Sequence, residues 1–162
     1  MQGNNERYMR YALREARQAM DGEEVPVGCV IVHRELGVIG KAHNQRETLQ
    51  DPTAHAEILA ITQGAAALGM WRLEDTTMYV TLEPCPMCAG AIILARIPEV
   101  YFGAYDPKAG ACGSLMDLLA DTRFNHQPKV VPGYMGDEAG DLLRAFFKGL
   151  REGTIKRPGV RR

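Results

Sequence analysis

The sequence predicts an α/β fold, a three-layer α/β/α sandwich with a central mixed five-stranded sheet. Segments with helical and with strand periodicity alternate through most of the chain, which favours a sheet covered by helices on both faces. Only a short turn separates the first two strand candidates, as in an antiparallel hairpin, so the sheet is expected to be mixed. The length of 162 residues fits one domain.

The strand candidates are short apolar runs rich in β-branched residues, and they lie at residues 27–32, 38–43, 76–82, 99–103 and 129–131. The helix candidates carry apolar residues three and four positions apart, and they lie at residues 6–20, 54–68, 86–95, 115–119 and 137–151. An Asp-Pro-Thr run at 51–53 marks the start of the second helix. Pro86 suits the first turn of the third helix, where its missing N–H costs nothing. In the last helix we expect an inner face that includes Phe146 and Phe147.

The composition excludes several classes of protein. A chain that is 46% apolar and 24% charged can bury a core, which excludes wholesale disorder. No run approaches the ~18 apolar residues of a membrane span, and the N-terminus has no apolar secretory segment. We therefore expect a cytoplasmic protein without a membrane partner.

The net charge of −1 hides a basic C-terminus on an acidic body. Residues 144–162 carry seven basic residues and one acidic residue, whereas the rest of the chain carries twelve basic and nineteen acidic residues. We expect a single domain over residues 1–152 and a flexible basic tail over residues 153–162. Such a tail either attracts phosphates or is a solvated, frayed terminus, and the charge alone leaves both interpretations open.

The candidate metal ligands are one histidine and two of the four cysteines. A His-Ala-Glu run at 55–57 opens the second helix candidate, and a Pro-Cys-Pro-Met-Cys run at 84–88 opens the third. Cys85 and Cys88 are three positions apart, so a helix start places both sulfurs on one face, where the helix dipole favours thiolates. If the two helix starts meet at one edge of the sheet, these sulfurs and His55 can bind Zn²⁺ and leave a fourth position for water.

Glu57 follows His55 by two positions, and such positions do not face the same way on a helix. We therefore expect the Glu57 carboxylate beside the open position of the metal and not on the metal itself. A carboxylate placed there can accept a proton from water and later deliver it. Glu57 is therefore the candidate catalytic residue.

Two other interpretations of these residues remain open. A closed structural zinc site needs a fourth ligand, for which Cys29, Cys112 and His43 are available, although Cys29 lies in an apolar strand and is more simply a core residue. A metal-free redox pair of Cys85 and Cys88 is less favoured, because it leaves the neighbouring histidine and glutamate without a role.

Together, the two runs resemble the signature of the zinc-dependent cytidine/deoxycytidylate deaminase superfamily, His-x-Glu followed by Pro-Cys-x-x-Cys. Longer stretches resemble its bacterial TadA-type tRNA adenosine deaminases, and the resemblance covers residues 6–151. These stretches are residues 24–28, 51–57, 81–85 and 102–114, with a Phe-Phe pair at 146–147. Tyr105 departs from the resemblance, because a basic residue is often found at its place in this loop.

The resemblance implies the cytidine deaminase-like fold and the hydrolytic deamination of adenosine to inosine at the wobble position of a tRNA anticodon. It implies one Zn²⁺ per subunit, held by His55, Cys85 and Cys88, with Glu57 as a proton shuttle and no organic cofactor. It also implies a homodimer that binds the tRNA anticodon stem-loop.

Several substrate-binding residues follow from the same resemblance, and each has a structural alternative. Val27 and Leu82 are expected to form apolar walls around the base, or else belong to the core. Asn44 is expected to contact the target nucleotide, or else makes a turn at the end of its strand. Asp106 is expected to contact a ribose hydroxyl, or else caps a turn.

Neighbouring nucleotides are expected to contact Ala104 and Lys108 in the loop and Phe147 in the last helix, with Phe146 buried. Two other function classes remain: a small-molecule deaminase of the same superfamily, which acts on guanine, cytosine or a nucleoside, and a non-catalytic zinc protein. The intact Glu57 argues against the non-catalytic class. The basic terminal helix and the loop favour an RNA substrate, because phosphate contacts add affinity for RNA.

Overall fold

Five strands form one mixed sheet, with the order β2-β1-β3-β4-β5, in a computed structural model that describes residues 2–156. The strands are β1 (Gly28–His33), β2 (Gly37–His43), β3 (Thr76–Leu82), β4 (Glu99–Ala104) and β5 (Lys129–Val131). The helices are α1 (Gln2–Asp21), α2 (Ala56–Leu68), α3 (Pro86–Ala95) and α4 (Gly136–Glu152). Apolar clusters on the two faces of the sheet join it to α2 and α3 on one side and to α1 and α4 on the other. The predicted α/β/α sandwich is confirmed.

The pairing of the strands brings several chain connections to one end of the sheet. β1 is antiparallel to β2 and β3, whereas β3, β4 and β5 are parallel to one another. Gly28, the first residue of β1, pairs with His43, the last residue of β2. Leu82 at the end of β3 pairs with Ala104 at the end of β4. The residues just before β1 and just after β2, β3 and β4 therefore lie close together.

Two glycines let helices lie close to the hairpin of β1 and β2 on opposite faces. A Cβ atom on Gly28 would lie 1.9 Å from the carbonyl oxygen of Ala12 in α1. A Cβ atom on Gly40 would lie 2.4 Å from the carbonyl oxygen of Ala60 in α2. Both distances are far below van der Waals contact, so only glycine permits this approach. The close packing of α2 fixes the helix that begins next to His55.

The short helix predicted over residues 115–119 is wrong. Cys112 and Asp117 instead form an isolated antiparallel bridge, and the N–H of Leu118 donates to the carbonyl of Ala111. The backbone N–H of Ser114 is bound by the Glu83 side chain, which lies far away in the sequence. The N–H of Leu118 therefore does not make the i→i−4 bond to Ser114 that a helix over these residues would need.

The ends of the chain differ from the prediction in extent. α1 starts four residues earlier than expected. The predicted basic tail lies partly outside the described residues, since residues 157–162 are not among them. Within the described part, the N–H groups of Thr154 and Ile155 donate to the carbonyl of Gly149 in α4. Among residues 2–156, no helix is long and apolar enough to cross a bilayer.

Candidate active site

A cavity of about 200 Å³ opens where the four connections meet at the end of the sheet. Its walls combine apolar side chains with a few polar and charged ones, the mixture typical of a small-ligand site. It is lined by Val25, Val27, Asn44, Arg46, His55, Ala56, Glu57, Leu82, Glu83, Cys85, Asp106 and Ala109.

Three potential metal ligands lie together beside this cavity, which His55 and Cys85 line and behind which Cys88 is buried. The Nδ1 atom of His55 lies 3.5 Å from the Sγ atom of Cys85 and 3.6 Å from that of Cys88. The usual zinc bond lengths place a nitrogen and a sulfur ligand about 3.5 Å apart around tetrahedral Zn²⁺. One imidazole and two sulfurs at this spacing fit Zn²⁺, so the three side chains form a His-Cys-Cys zinc site.

The ligands lie at the beginnings of two helices. His55 is the N-cap residue of α2, and Cys85 is the N-cap residue of α3. His55 therefore lies just before the first turn of α2, whereas the sequence predicts it inside that turn. Neither N-cap side chain bonds the helix backbone, so both remain free to bind a metal.

Hydrogen bonds between the ligands shift the pKa values of the two thiols. The hydrogen bond with Cys88, helped by another with His55, lowers the pKa of the Cys85 thiol to about 4. The same hydrogen bond raises the pKa of the Cys88 thiol, which is the donor. Cys85 therefore offers a thiolate at neutral pH, the form that a metal requires. Cys88 supplies the second sulfur when a cation displaces its proton.

Glu57 lies beside this set without joining it. Its side chain is in the first turn of α2, lines the cavity and is 4% exposed. Burial raises the pKa of Glu57 to about 7. Among the described residues, only His55, Cys85 and Cys88 form a group whose potential metal-binding atoms all lie within 4.8 Å of one another. A buried carboxylate with such a pKa is suited to exchange protons near neutral pH.

The proposed fourth ligands of a closed site are elsewhere. Cys29 is fully buried in β1, as a core residue. His43 binds the Glu15 carboxylate through Nδ1 at 3.0 Å. Cys112 lies over the carbonyl oxygen of Pro84. In the part of the chain that the structure describes, none of the three joins the metal set, so the closed-site interpretation is wrong for these residues.

Asn44 and Asp106 make their turns and also line the cavity. The Oδ1 atom of Asn44 accepts a hydrogen bond from the N–H of Arg46 at 3.2 Å. The Oδ1 atom of Asp106 accepts from the N–H groups of Lys108 and Ala109. The alternatives stated for these residues are therefore compatible, because the turn holds each side chain at the cavity wall. Val27 and Leu82 likewise face the cavity while packing on the core.

Three predicted substrate-binding residues line a second, larger groove between α4 and the loop after β4. The groove is lined by Ala104, Tyr105, Lys108, Gly140, Leu143, Arg144, Ala145, Phe147, Lys148, Leu150 and Arg151. It contains four basic side chains and no acidic one. Phe147 is 44% exposed, so its predicted place on the inner face of α4 is wrong, whereas Phe146 is buried as expected.

Three charged residues of the cavity region do not stand out in the sequence as site residues. Glu24 is 2% exposed, and its two carboxylate oxygens accept the backbone N–H groups of Glu47 and Thr48 at 3.0 and 2.9 Å. Arg46 and Glu83 line the cavity itself. Glu24 and Glu83 belong to stretches that carry the family resemblance, but their carboxylates bind loops that are distant in sequence, and no local pattern indicates such contacts.

Comparison with known proteins gives consistent matches. Residues 2–104 match the family described as the cytidine and deoxycytidylate deaminase zinc-binding region. A curated relative from Bacillus subtilis (strain 168), named tRNA-specific adenosine deaminase, is 53% identical over 148 residues, which cover 91% of each chain.

Two solved structures share the fold. One comes from a study of A-to-I editing by tRNA:A34 deaminases at the wobble position of transfer RNA. It is 44% identical, has a TM-score of 0.81 and covers 85% of this chain and 99% of its own. The other, a guanine deaminase from Bacillus subtilis, is 30% identical, has a TM-score of 0.61 and covers 94% of this chain and 96% of its own. The His-Cys-Cys site, the sandwich that carries it and these matches agree: the chain belongs to the cytidine and deoxycytidylate deaminase family of zinc-binding proteins.

Proposed function

We propose that the protein is a tRNA adenosine deaminase of the TadA type, which converts adenosine to inosine at the wobble position of an anticodon. The relative named tRNA-specific adenosine deaminase matches 91% of the chain at 53% identity, which supports this function over others in the family.

One observation in the structure carries the proposal: a single loop separates a zinc-site cavity from a basic groove. Asp106 and Ala109 line the cavity, while Ala104, Tyr105 and Lys108 line the groove. A flipped-out base fits a small cavity, and the flanking strand carries phosphates that a basic surface attracts. A small-molecule deaminase has no need for the groove.

The chemistry divides between a metal and one carboxylate. His55, Cys85 and Cys88 would hold Zn²⁺, which would supply a Lewis acid that makes water nucleophilic near neutral pH. Glu57 carries a proton from the attacking water to ring nitrogen N1 of adenine. As water adds at C6 and the exocyclic amine leaves as ammonia, Glu57 also delivers the proton that the departing nitrogen needs.

The remaining residues bind and orient the nucleotide. Val27 and Leu82 enclose the base between apolar walls. Asn44 offers its amide to the target nucleotide. The Oδ2 atom of Asp106 has no partner among the described residues, and we assign it to a ribose hydroxyl.

The groove takes the nucleotides that flank the target. Ala104 gives a flat wall, the Lys108 ammonium contacts a phosphate, and the exposed ring of Phe147 stacks on a neighbouring base. Tyr105 adds a second aromatic surface and no charge. In this proposal the anticodon stem-loop of a tRNA binds against α4, and the enzyme acts in the cytoplasm, where its tRNA substrate is found.

The proposed assembly is a homodimer. α3 has no charged residue among its ten, so it is apolar on every side, yet Leu94 on this helix is 70% exposed. A helix that is apolar all round is usually buried, and a second copy of the chain is the partner we propose. Leu94→Glu should then shift the protein from dimer to monomer in sedimentation experiments.

The decisive experiment compares substrates. The purified zinc protein is incubated with an anticodon stem-loop that bears a wobble adenosine and, separately, with free guanine, cytosine and adenosine. Inosine in the stem-loop and released ammonia are measured. The second candidate is a guanine deaminase, because a relative of that activity is 30% identical over 94% of the chain. Turnover of guanine with none of the stem-loop would replace the proposed function by that one.

A further inference from the structure

We propose that Glu83 is a positioning residue that locks the loop of residues 106–114 to the zinc-binding segment and thereby sets the affinity for the RNA substrate. This inference rests on the proposed function. It assigns Glu83 no contact with the reacting atoms. It concerns how the wall of the substrate cavity is held in place.

The Glu83 carboxylate is buried and fully engaged. The side chain is 2% exposed. Its Oε1 atom accepts hydrogen bonds from the N–H of Asp106 at 3.0 Å and from the hydroxyl of Ser114. Its Oε2 atom accepts from the N–H groups of Cys112 and Ser114, both at 3.0 Å. Four donors around one side chain match the acceptor capacity of an ionised carboxylate and offset the cost of burying its charge.

The loop is shaped around this carboxylate. A Cβ atom on Gly110 would overlap the Glu83 carboxylate, so any larger residue there would have to push the carboxylate away from its four donors. The backbone on both sides is bound as well. The N–H of Glu83 donates to the carbonyl of Ala104, and the N–H of Ala111 donates to the carbonyl of Pro84, both at 2.8 Å.

Glu83 lies in the chain between a residue of the cavity wall and a zinc ligand. Leu82, the residue before it, lines the cavity, and Cys85, two residues after it, is a zinc ligand. Asp106, whose N–H binds Glu83 directly, also lines the cavity. One buried side chain therefore connects the metal segment to the loop that we assign to the nucleotide, and it fixes the distance between them.

Replacement of Glu83 by glutamine should affect the hydrogen bonds of one carboxylate oxygen and spare those of the other. An amide NH₂ in place of Oε2 would face two backbone N–H donors, whereas in place of Oε1 it would face one N–H and one hydroxyl. The hydroxyl of Ser114 can rotate and accept. The amide therefore takes the Oε1 side, which leaves the N–H of Asp106 without an acceptor. Glu83→Gln should release the Asp106 end of the loop and keep its other end.

The test measures steady-state kinetics of the zinc enzyme on the wobble-adenosine stem-loop. For Glu83→Gln we expect KM to rise about tenfold, with kcat and zinc content within twofold of the parent. For Ser114→Ala, which removes one of four donors, we expect a two- to threefold rise in KM. Glu74→Gln, at an exposed site paired with Arg72, is the matched control and should change nothing. A KM that stays constant in both loop variants, or a kcat that falls together with zinc at constant KM, overturns the proposal.

Hydrogen exchange tests the same idea without any substrate. In the parent zinc protein, the amides of Asp106, Cys112 and Ser114 should exchange slowly. In Glu83→Gln, exchange should accelerate at Asp106 much more than at Cys112. Equal rates at Asp106 in the two proteins would refute the positioning role. If the parent enzyme leaves the stem-loop unchanged, the proposed function fails while this readout still decides the role of Glu83. If Glu83→Gln does not fold, the KM of Ser114→Ala decides the proposal, and an unchanged KM in that variant overturns it.

Discussion

Phe146 and Phe147 are consecutive residues of α4 whose rings meet edge to face, with centroids 5.4 Å apart and planes at 81°. Phe146 is 3% exposed, whereas Phe147 is 44% exposed and faces the basic groove. A helix turns about 100° per residue, so one ring packs in the protein while the next is available to a ligand. The buried ring supports the exposed one from its edge.

This arrangement predicts that one alanine variant loses substrate binding and the other loses stability. Phe147→Ala should raise KM for the stem-loop by an amount that corresponds to about 1–3 kcal/mol of lost base stacking, with an unchanged Tm. Phe146→Ala should lower the free energy of unfolding by about 3–5 kcal/mol, because it removes a buried ring. Kinetics and thermal unfolding check the pair. An equal loss of stability in both variants contradicts a binding role for Phe147.

Replacement of Glu57 should separate chemistry from metal binding. Glu57→Gln keeps the size of the side chain and removes the proton carrier, so kcat should fall by about 10²–10⁴-fold. Zinc content should stay at one per subunit, because the carboxylate lies outside the ligand set. Zinc is measured by atomic emission. Loss of the metal together with activity would show that Glu57 is a ligand.

The zinc ligands predict a contrast between two buried cysteines. Cys88→Ser should reduce the zinc content, since it replaces one of three protein ligands with a poorer one. Cys29 is also fully buried, in β1, and Cys29→Ala should keep one zinc per subunit. Metal stoichiometry after dialysis gives the result. An unchanged zinc content in Cys88→Ser rejects Cys88 as a ligand.

The basic groove predicts a change in salt dependence. Lys108→Ala should weaken stem-loop binding and reduce the slope of log Kd against log salt concentration by about 1, the value for one lost phosphate contact. Arg34→Ala, at the opposite end of the sheet and paired with Asp75 at 3.1 Å, is the control and should leave the slope unchanged. Filter binding over a salt series checks both. The same slope in Lys108→Ala and the parent argues against a phosphate contact.

Removal of residues 157–162 tests the alternatives for the basic tail. This segment carries three arginines and no acidic residue. If it attracts phosphates, its removal should weaken stem-loop binding at low salt and have little effect at high salt. Zinc content should not change. Identical binding at every salt concentration favours the solvated terminus.

Much of the fold follows from local patterns. All five strands and four of the five predicted helices lie where apolar periodicity places them, with ends within a few residues. The metal ligands were also predictable, because the spacing of Cys85 and Cys88 and the pairing of a histidine with a glutamate are local features. Two cysteines three positions apart already share a helix face before any tertiary contact forms.

The remaining features depend on contacts between distant segments. The segment 115–119 is not helical, because the Glu83 side chain, 31 positions from Ser114, holds the preceding loop and the N–H of Leu118 donates to the carbonyl of Ala111. Glu24 binds the backbone at Glu47 and Thr48 in the same way. Carboxylates are rarely buried, so composition alone assigns both to the surface. The rotation of α4, which exposes Phe147, is set by its packing on the sheet.

The zinc ligands belong to the starts of two helices, whereas the other walls of the cavity come largely from the ends and connections of strands, and the groove is lined mainly by α4. Metal chemistry and molecular recognition therefore reside in separate parts of the chain, and an insertion or replacement in one connection can retune which nucleobase enters without disturbing the ion. The fold can therefore keep one metal site while its substrate specificity changes through the segments around the cavity entrance.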